Sequence, residues 1–104
     1  MSKEVIYIEV NDDITSIIDN VKKSNDKIVA LVPPKQIGVL HSAINLRLLS
    51  KSAKELKKYL VIITTNSSLI KLSAVAGIPV AKSLQSKPQL GEVPIMSSDS
   101  DDLI

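Results

Sequence analysis

The sequence predicts a single small α/β domain with a mostly parallel sheet, and two features of the chain support this. Short runs of β-branched and aliphatic residues alternate with amphipathic segments of helical period, and only a few residues separate one from the next. The 104 residues are enough for one hydrophobic core but not for two. Because 44% of the residues are hydrophobic and the only aromatic ones are two Tyr, the core must be aliphatic.

The first strand and the first helix are predicted from residues 4–21. Residues 4–10 combine β-branched and aromatic side chains, and the polar residues 11–13 that follow offer helix N-caps. Apolar side chains then recur at the spacing of one helical face, at Ile14, Ile17, Ile18 and Val21. The pattern therefore predicts a strand followed by an amphipathic helix.

The middle of the chain predicts two further strands with helical sequence between them. Residues 28–32 form a continuous apolar run, typical of a strand covered on both faces, and Pro33 ends it. Residues 37–59 carry two helical stripes, which predict either a short turn leading into a main helix near Asn45 or one long helix. Residues 60–64 predict the third strand.

The last unit is a polar turn, a helix and a short strand. Residues 65–68 offer cap-forming side chains, and the helical face that follows consists of Leu69, Leu72, Val75 and Ala76. Gly77 suits the left-handed conformation that ends helices. Val80 and Ala81 begin a fourth strand.

This order of elements predicts about four mostly parallel strands with right-handed βαβ crossovers, as in small Rossmann-like or flavodoxin-like three-layer domains. The domain is expected over residues 1–83, and residues 84–104 are expected to form a flexible acidic linker or tail. Residues 1–96 carry a net charge of +5, whereas the last eight residues carry −3.

One candidate ligand site lies at the edge where the carboxyl ends of the predicted strands meet. The residues expected there are Asp12, Asp13, Lys35, Thr65, Asn66 and Ser67. Such a group could bind Mg²⁺ and phosphate. The alternative, which the local pattern favours, is that Asp12, Ser67 and Ser68 only cap helices and that Lys35 is solvated.

A second candidate surface is a basic helical face formed by Arg47, Lys51, Lys54 and Lys58. Amphipathic helices usually expose such a face to water, and an anionic lipid surface or an acidic partner is the functional alternative. Nucleic acid is an improbable partner, because only Tyr7 and Tyr59 could stack on bases.

The residues and motifs that the chain lacks argue against several kinds of chemistry. There is no Cys, and a lone His cannot build a zinc site, so neither redox nor zinc chemistry is predicted. The three glycines, Gly38, Gly77 and Gly91, never form a phosphate-binding loop. His41 has no acidic partner at a spacing that suggests a triad. We therefore predict no catalytic residue, no metal and no cofactor, which favours a non-enzymatic protein.

Four segments together resemble one bacterial domain type: IVALVPPK, VLHSAINLRLL, LVIITTNSS and AGIPVAKS. The chain resembles, over about residues 5–85, the N-terminal α/β domain of membrane-anchored proteins labelled baseplate J-like. It departs from similar domains at Asn66, where they often carry an acidic residue. The resemblance implies a cytoplasmic domain followed by a linker, a transmembrane helix and extracytoplasmic modules.

Two functions are expected from these features. The first is a non-enzymatic cytoplasmic interaction or assembly domain of a larger bacterial envelope-spanning protein, with a protein partner or a second copy as its ligand. The alternative is a sensor of small ligands or nucleotide phosphates that uses the loops at the carboxyl ends of the strands. The first ten residues lack the apolar run of a signal peptide, which agrees with a cytoplasmic location.

Overall fold

A computed structural model describes residues 3–35 and 38–84 and contains a sheet of four parallel strands. The strands, each hydrogen-bonded to the next in the chain, are β1 (Lys3–Tyr7), β2 (Ile28–Val32), β3 (Tyr59–Ile63) and β4 (Val80–Ala81). The helices between them are α1 (Ile14–Lys23), α2 (Ala43–Leu56) and α3 (Ser67–Ala76). The predicted fold class is confirmed. The predicted tail lies outside the described residues, apart from Leu84.

The sequential strand order places all three helices on one face of the sheet. Each crossover steps in the same direction, so right-handed connections put every helix on the same side. In agreement, α2 packs against α1 on one flank and against α3 on the other. Within the described residues the domain thus has two of the three expected layers, one of helices and one of strands.

The hydrophobic core lies between these two layers. From the strands it takes alternate residues, among them Val29, Leu31, Leu60, Ile62 and Val80, and it also includes Ile8 directly after β1. From the helices it takes the buried stripes that include Ile17, Val21, Leu46, Leu49 and Leu69. The stripe predicted for α1 is confirmed, because Ile17 and Val21 are buried and Ile14 and Ile18 pack against the core.

The opposite face of the sheet, which we call the helix-free face, carries the other residues of each strand. Parallel register aligns side chains of the same face, since Val5 pairs with Ala30 and Ala30 pairs with Val61. The face consists of Lys3, Val5, Tyr7, Ile28, Ala30, Val32, Tyr59, Val61, Ile63 and Ala81. It is almost entirely apolar, as the continuous apolar run of β2 predicted.

Each helix begins at a polar side chain that accepts a backbone amide. Asp13 accepts from Ser16 at 2.8 Å and Asn66 accepts from Leu69 at 3.0 Å, while Ser42 caps α2. The bond from the Ser16 amide lowers the pKa of Asp13 below its ordinary value of 3.8. The carboxylate therefore stabilises α1 above that pH, and the contribution is lost as the pH falls through the lowered pKa.

Two local predictions for the helices were wrong. The N-caps of α1 and α3 are Asp13 and Asn66, each one residue away from the predicted Asp12 and Ser67. Asp12 instead accepts the Glu9 amide in the preceding turn. Val75 was expected to be buried but is 48% exposed. The buried side of α3 is centred on Ser73, and two residues further along a helix means a rotation of about 200°, which turns Val75 outward.

The segment before α2 follows the first of the two predicted alternatives. Residues 39–41 form a turn in which the His41 amide donates to the Gly38 carbonyl at 3.0 Å, and the helix starts only at Ala43. The first predicted stripe consists of Ile37, Leu40 and Ile44. Leu40 is buried and Ile44 is exposed, whereas Ile37 lies outside the described residues. This turn brings His41 to the carboxyl edge of the sheet.

Candidate functional site

A cavity of about 440 Å³, which we call the rim pocket, opens at the carboxyl edge of the sheet. Its polar lining consists of Lys35, His41, Thr64, Thr65, Asn66 and Lys82. Its apolar lining consists of Pro33, Pro34, Ile63 and Leu69. The volume lies within the range of roughly 300–1,000 Å³ that is usual for small-molecule sites.

The ends of three strands and one turn build the walls of the rim pocket. Pro33 and Pro34 stop β2, and the turn at 39–41 carries His41 over the edge that β2 and β3 share. The Thr64 amide donates to the Ala81 carbonyl at 2.9 Å, which fixes the end of β3 beside that of β4 and brings in Lys82. The strand order does not reverse, so the rim pocket does not lie at a topological switch point of the sheet.

The start of α3 forms one wall of the rim pocket. The Asn66 amide donates to Thr64 Oγ1 at 3.1 Å, and Asn66 Oδ1 accepts from Leu69, so this loop is held by its own side chains. The amides of Ser67 and Ser68 lie in the first helical turn and have no intrahelical acceptor. The partial positive charge of a helix N-terminus therefore lies beside the pocket.

The electrostatic character of the rim pocket is cationic. Lys35 and Lys82 are exposed and reach the cavity from opposite sides of the sheet edge, after β2 and after β4. No Asp or Glu of the described residues lines it. Nε2 of His41 is shielded from solvent and has no hydrogen-bond partner in the described part of the chain. The wall thus offers positive charge without a competing carboxylate.

The structure brings together half of the predicted ligand site. Lys35, Thr65 and Asn66 line the rim pocket, as expected from the shared edge of parallel strands. The other three, Asp12, Asp13 and Ser67, do not line it. Asp12 instead accepts the Glu9 amide in the loop that joins β1 to α1, and Asp13 accepts the Ser16 amide in the first turn of α1.

Sequence reasoning missed three polar members of the rim pocket, His41, Thr64 and Lys82. The lack of an acidic partner argues against a catalytic role for His41, and its lining position depends on the turn before α2. Lys82 immediately follows the fourth strand, so the rule that collected Lys35 and Thr65 would have found it if applied to β4 as well.

Three of the four residues of the predicted basic face lie together on α2. Arg47, Lys51 and Lys54 are exposed on α2. Lys58 is not part of that face, because the chain leaves the helix at Lys57, whose φ of 58° is left-handed. The Lys58 ammonium donates instead to the carbonyls of Ser24 and Asp26, and so anchors the loop between α1 and β2.

Residues 3–35 and 38–84 contain no group of three or more His, Asp and Glu side chains placed to hold a metal ion. None of their helices has the length and apolarity needed to cross a lipid bilayer. Comparison of the chain with protein-family models, with curated proteins and with solved structures gave no match.

Proposed function

We propose that this domain binds a small phosphate-bearing ligand in the rim pocket and acts as a sensor of that ligand. One observation carries the proposal: Lys35, Lys82 and His41 surround a single cavity whose described wall contains no carboxylate. Lysine ammonium groups and the N-termini of helices are common partners of phosphate groups in proteins.

The apolar wall of the rim pocket suggests what accompanies the phosphate. Pro33 and Pro34 lie on one side, and Ile63 and Leu69 line the remainder. Pockets that combine a few convergent polar groups with an apolar lining usually hold an organic ligand, whose apolar part contacts the lining. A phosphorylated compound with a ring or a short apolar group, such as a mononucleotide, therefore fits better than a free phosphate ion.

A titration followed by amide chemical shifts tests this proposal. We expect AMP, added without Mg²⁺, to shift the amide signals of residues 64–66 and the ring signals of His41 in a saturable manner. Inorganic phosphate should shift the same signals with weaker affinity, because it lacks the group that contacts the apolar wall. Adenosine, which has no phosphate, is the matched control. If neither AMP nor phosphate causes saturable shifts at these positions, the proposal is wrong.

A second candidate function is favoured by the exposed side of α2. Ile44 is 70% exposed, and Leu48, one turn further on, is 43% exposed. The cations Arg47 and Lys51 lie next to these two side chains on the same helix. As this second function, we propose a non-enzymatic cytoplasmic interaction or assembly domain, of the kind that the baseplate J-like resemblance implies. Such a domain docks its helix α2 on an anionic membrane surface. Surface-bound helices combine apolar side chains with flanking cations in this manner.

Sedimentation with lipid vesicles tests the second candidate. The wild-type chain should co-sediment with vesicles that contain phosphatidylserine and not with pure phosphatidylcholine. The triple variant Arg47→Glu, Lys51→Glu, Lys54→Glu should lose this binding, since the negative surface potential then repels the helix. The matched control reverses three other exposed cations, Lys22, Lys27 and Lys71, and should still bind. Equal binding by the two triple variants, or none by the wild type, contradicts membrane docking and leaves a protein partner or self-association.

A further inference from the structure

Strand β1 forms the longer of the two edges of the described sheet. The strand order places β1 at one edge and β4 at the other, and β4 consists only of Val80 and Ala81. The five residues of β1 include no Pro and pair with β2 without interruption. Proline, bulges and shortness are the usual features that keep an edge strand from pairing with another chain. Strand β1 has none of them.

Alternate residues of β1 direct their backbone groups away from β2. The Ile8 amide, directly after β1, donates to the Val32 carbonyl at 2.8 Å. Because the backbone groups alternate in direction along a strand, the odd-numbered residues of β1 point their amides and carbonyls outward. These residues are Lys3, Val5 and Tyr7. Within residues 3–35 and 38–84 their backbone groups have no hydrogen-bond partner.

A groove of about 220 Å³ lies beside this edge on the helical side of the sheet. It is lined by Glu4 and Ile6 of β1 and by Asn20, Lys23 and Ser24 at the end of α1. The Ser24 hydroxyl donates to Glu4 Oε1 at 3.2 Å, which joins the two walls. The groove contains one carboxylate and one ammonium group. Two copies of it can therefore face each other without an excess of either charge.

The sequence of β1 is complementary to its own antiparallel image. With a two-fold axis at Val5, the Val5 side chains of two copies lie side by side, and Lys3 of each copy lies opposite Tyr7 of the other. Each of these pairs can exchange two ladder hydrogen bonds, because all three residues direct their backbone groups outward. The Tyr7 ring is 68% exposed, and the apolar stem of Lys3 from the second copy can cover it.

The two neighbouring symmetric registers are less favourable. An axis at Glu4 places two carboxylates directly opposite each other, which is destabilising. An axis at Ile6 requires the backbone of Glu9, but the Glu9 amide donates to Asp12 Oδ2 and the Glu9 carbonyl accepts the Asp12 amide. The register centred on Val5 avoids both problems.

We propose that two copies of this chain pair antiparallel through β1, with Val5 on the two-fold axis. Their four-stranded sheets then form one continuous sheet. The axis is perpendicular to the sheet, so both helical layers lie on the same side. The rim pocket lies at the ends of β2, β3 and β4, away from this edge, and the dimer is independent of ligand binding there.

The substitution Val5→Pro tests the hydrogen bonding of this edge. Proline lacks an amide donor, but the Val5 amide does not bond to β2, so the fold should persist, as far-UV circular dichroism can verify. In analytical ultracentrifugation the wild type should approach twice the 11.3 kDa of one chain as its concentration is raised. Val5→Pro should remain monomeric at the same concentrations. Val5→Ile keeps the amide and the β-branched shape and should still dimerise. A monomeric wild type overturns the proposal, and so does a dimeric Val5→Pro.

Disulfide formation tests the register and remains informative if Val5→Pro does not fold. The chain contains no Cys, so Val5→Cys places one thiol per copy beside the axis. The two Cα atoms are then about 5.5 Å apart, which suits a disulfide, and mild oxidation should give a covalent dimer. Tyr7→Cys is the matched control, since its two copies lie about 14 Å apart along the strands. No covalent dimer of Val5→Cys, or equal yields from both variants, overturns the proposal.

Discussion

Replacing Leu31 with Ala should lower the free energy of unfolding by about 3 kcal/mol, the usual scale for a buried Leu that leaves a cavity. Leu31 is 0% exposed at the centre of β2, where the parallel register places it between Ile6 and Ile62. All its neighbours are held by the sheet or by the helices above it, so little relaxation can fill the cavity. Urea denaturation followed by far-UV circular dichroism measures the change.

The same substitution at an exposed site provides the control for Leu31. Leu48 lies on the outer side of α2 and is 43% exposed. Its replacement with Ala should change the free energy of unfolding by less than about 0.5 kcal/mol, as is usual for surface sites. A domain of this length is stabilised by about 5–15 kcal/mol in total, so the core variant loses a large fraction of its stability. Similar losses for both variants would contradict the assigned core.

Reversing both lysines of the rim pocket, Lys35→Glu and Lys82→Glu, should weaken the binding of AMP by about 100-fold or more. Each hydrogen bond to a charged group contributes about 1.5–3 kcal/mol, and each 1.4 kcal/mol corresponds to a factor of ten. Two new carboxylates also repel the phosphate. The fold should be unaffected, because both side chains are exposed. Isothermal titration calorimetry measures the affinity, and urea denaturation checks the stability.

A second double variant separates the local effect from the change in net charge. Lys51→Glu and Lys54→Glu alter the net charge by the same amount but lie on the outer face of α2, outside the rim pocket. At physiological ionic strength charges are screened over about 8 Å, so this variant should retain AMP affinity within about threefold. An equal loss in both double variants would show that binding depends on overall charge and not on the pocket.

The sequence was most informative where a local pattern has one physical solution. Strand β2 was predicted with its observed bounds, because a continuous apolar run followed by Pro33 leaves few alternatives. The grouping of Lys35 with Thr65 and Asn66 followed from the geometry of parallel strands. The prediction failed where a helical pattern was extended past the end of its helix. Lys58 was assigned to the basic face of α2, although it lies beyond the residue that ends this helix.

Other features depend on packing that no single segment encodes. The sequence does not specify the strand order, because the same strands and helices are compatible with a sequential order or with one that reverses. That order decides whether helices cover one face of the sheet or both. The lining position of His41 likewise depends on how the turn before α2 lies against the ends of β2 and β3. Neither the pocket nor the helix-free face could therefore be deduced from the chain alone.

The sequential strand order also determines how the domain can assemble during synthesis. Every strand pairs with the strand that precedes it in the chain, so each new βα unit finds its docking edge already formed. No strand has to wait for a later one to be inserted beside it, and contacts between units close in sequence favour rapid folding. The link between Lys3 and Leu84 is the exception, because it joins the two ends of the described chain. Since Leu84 follows the last strand, this contact becomes available only once β4 has been synthesised.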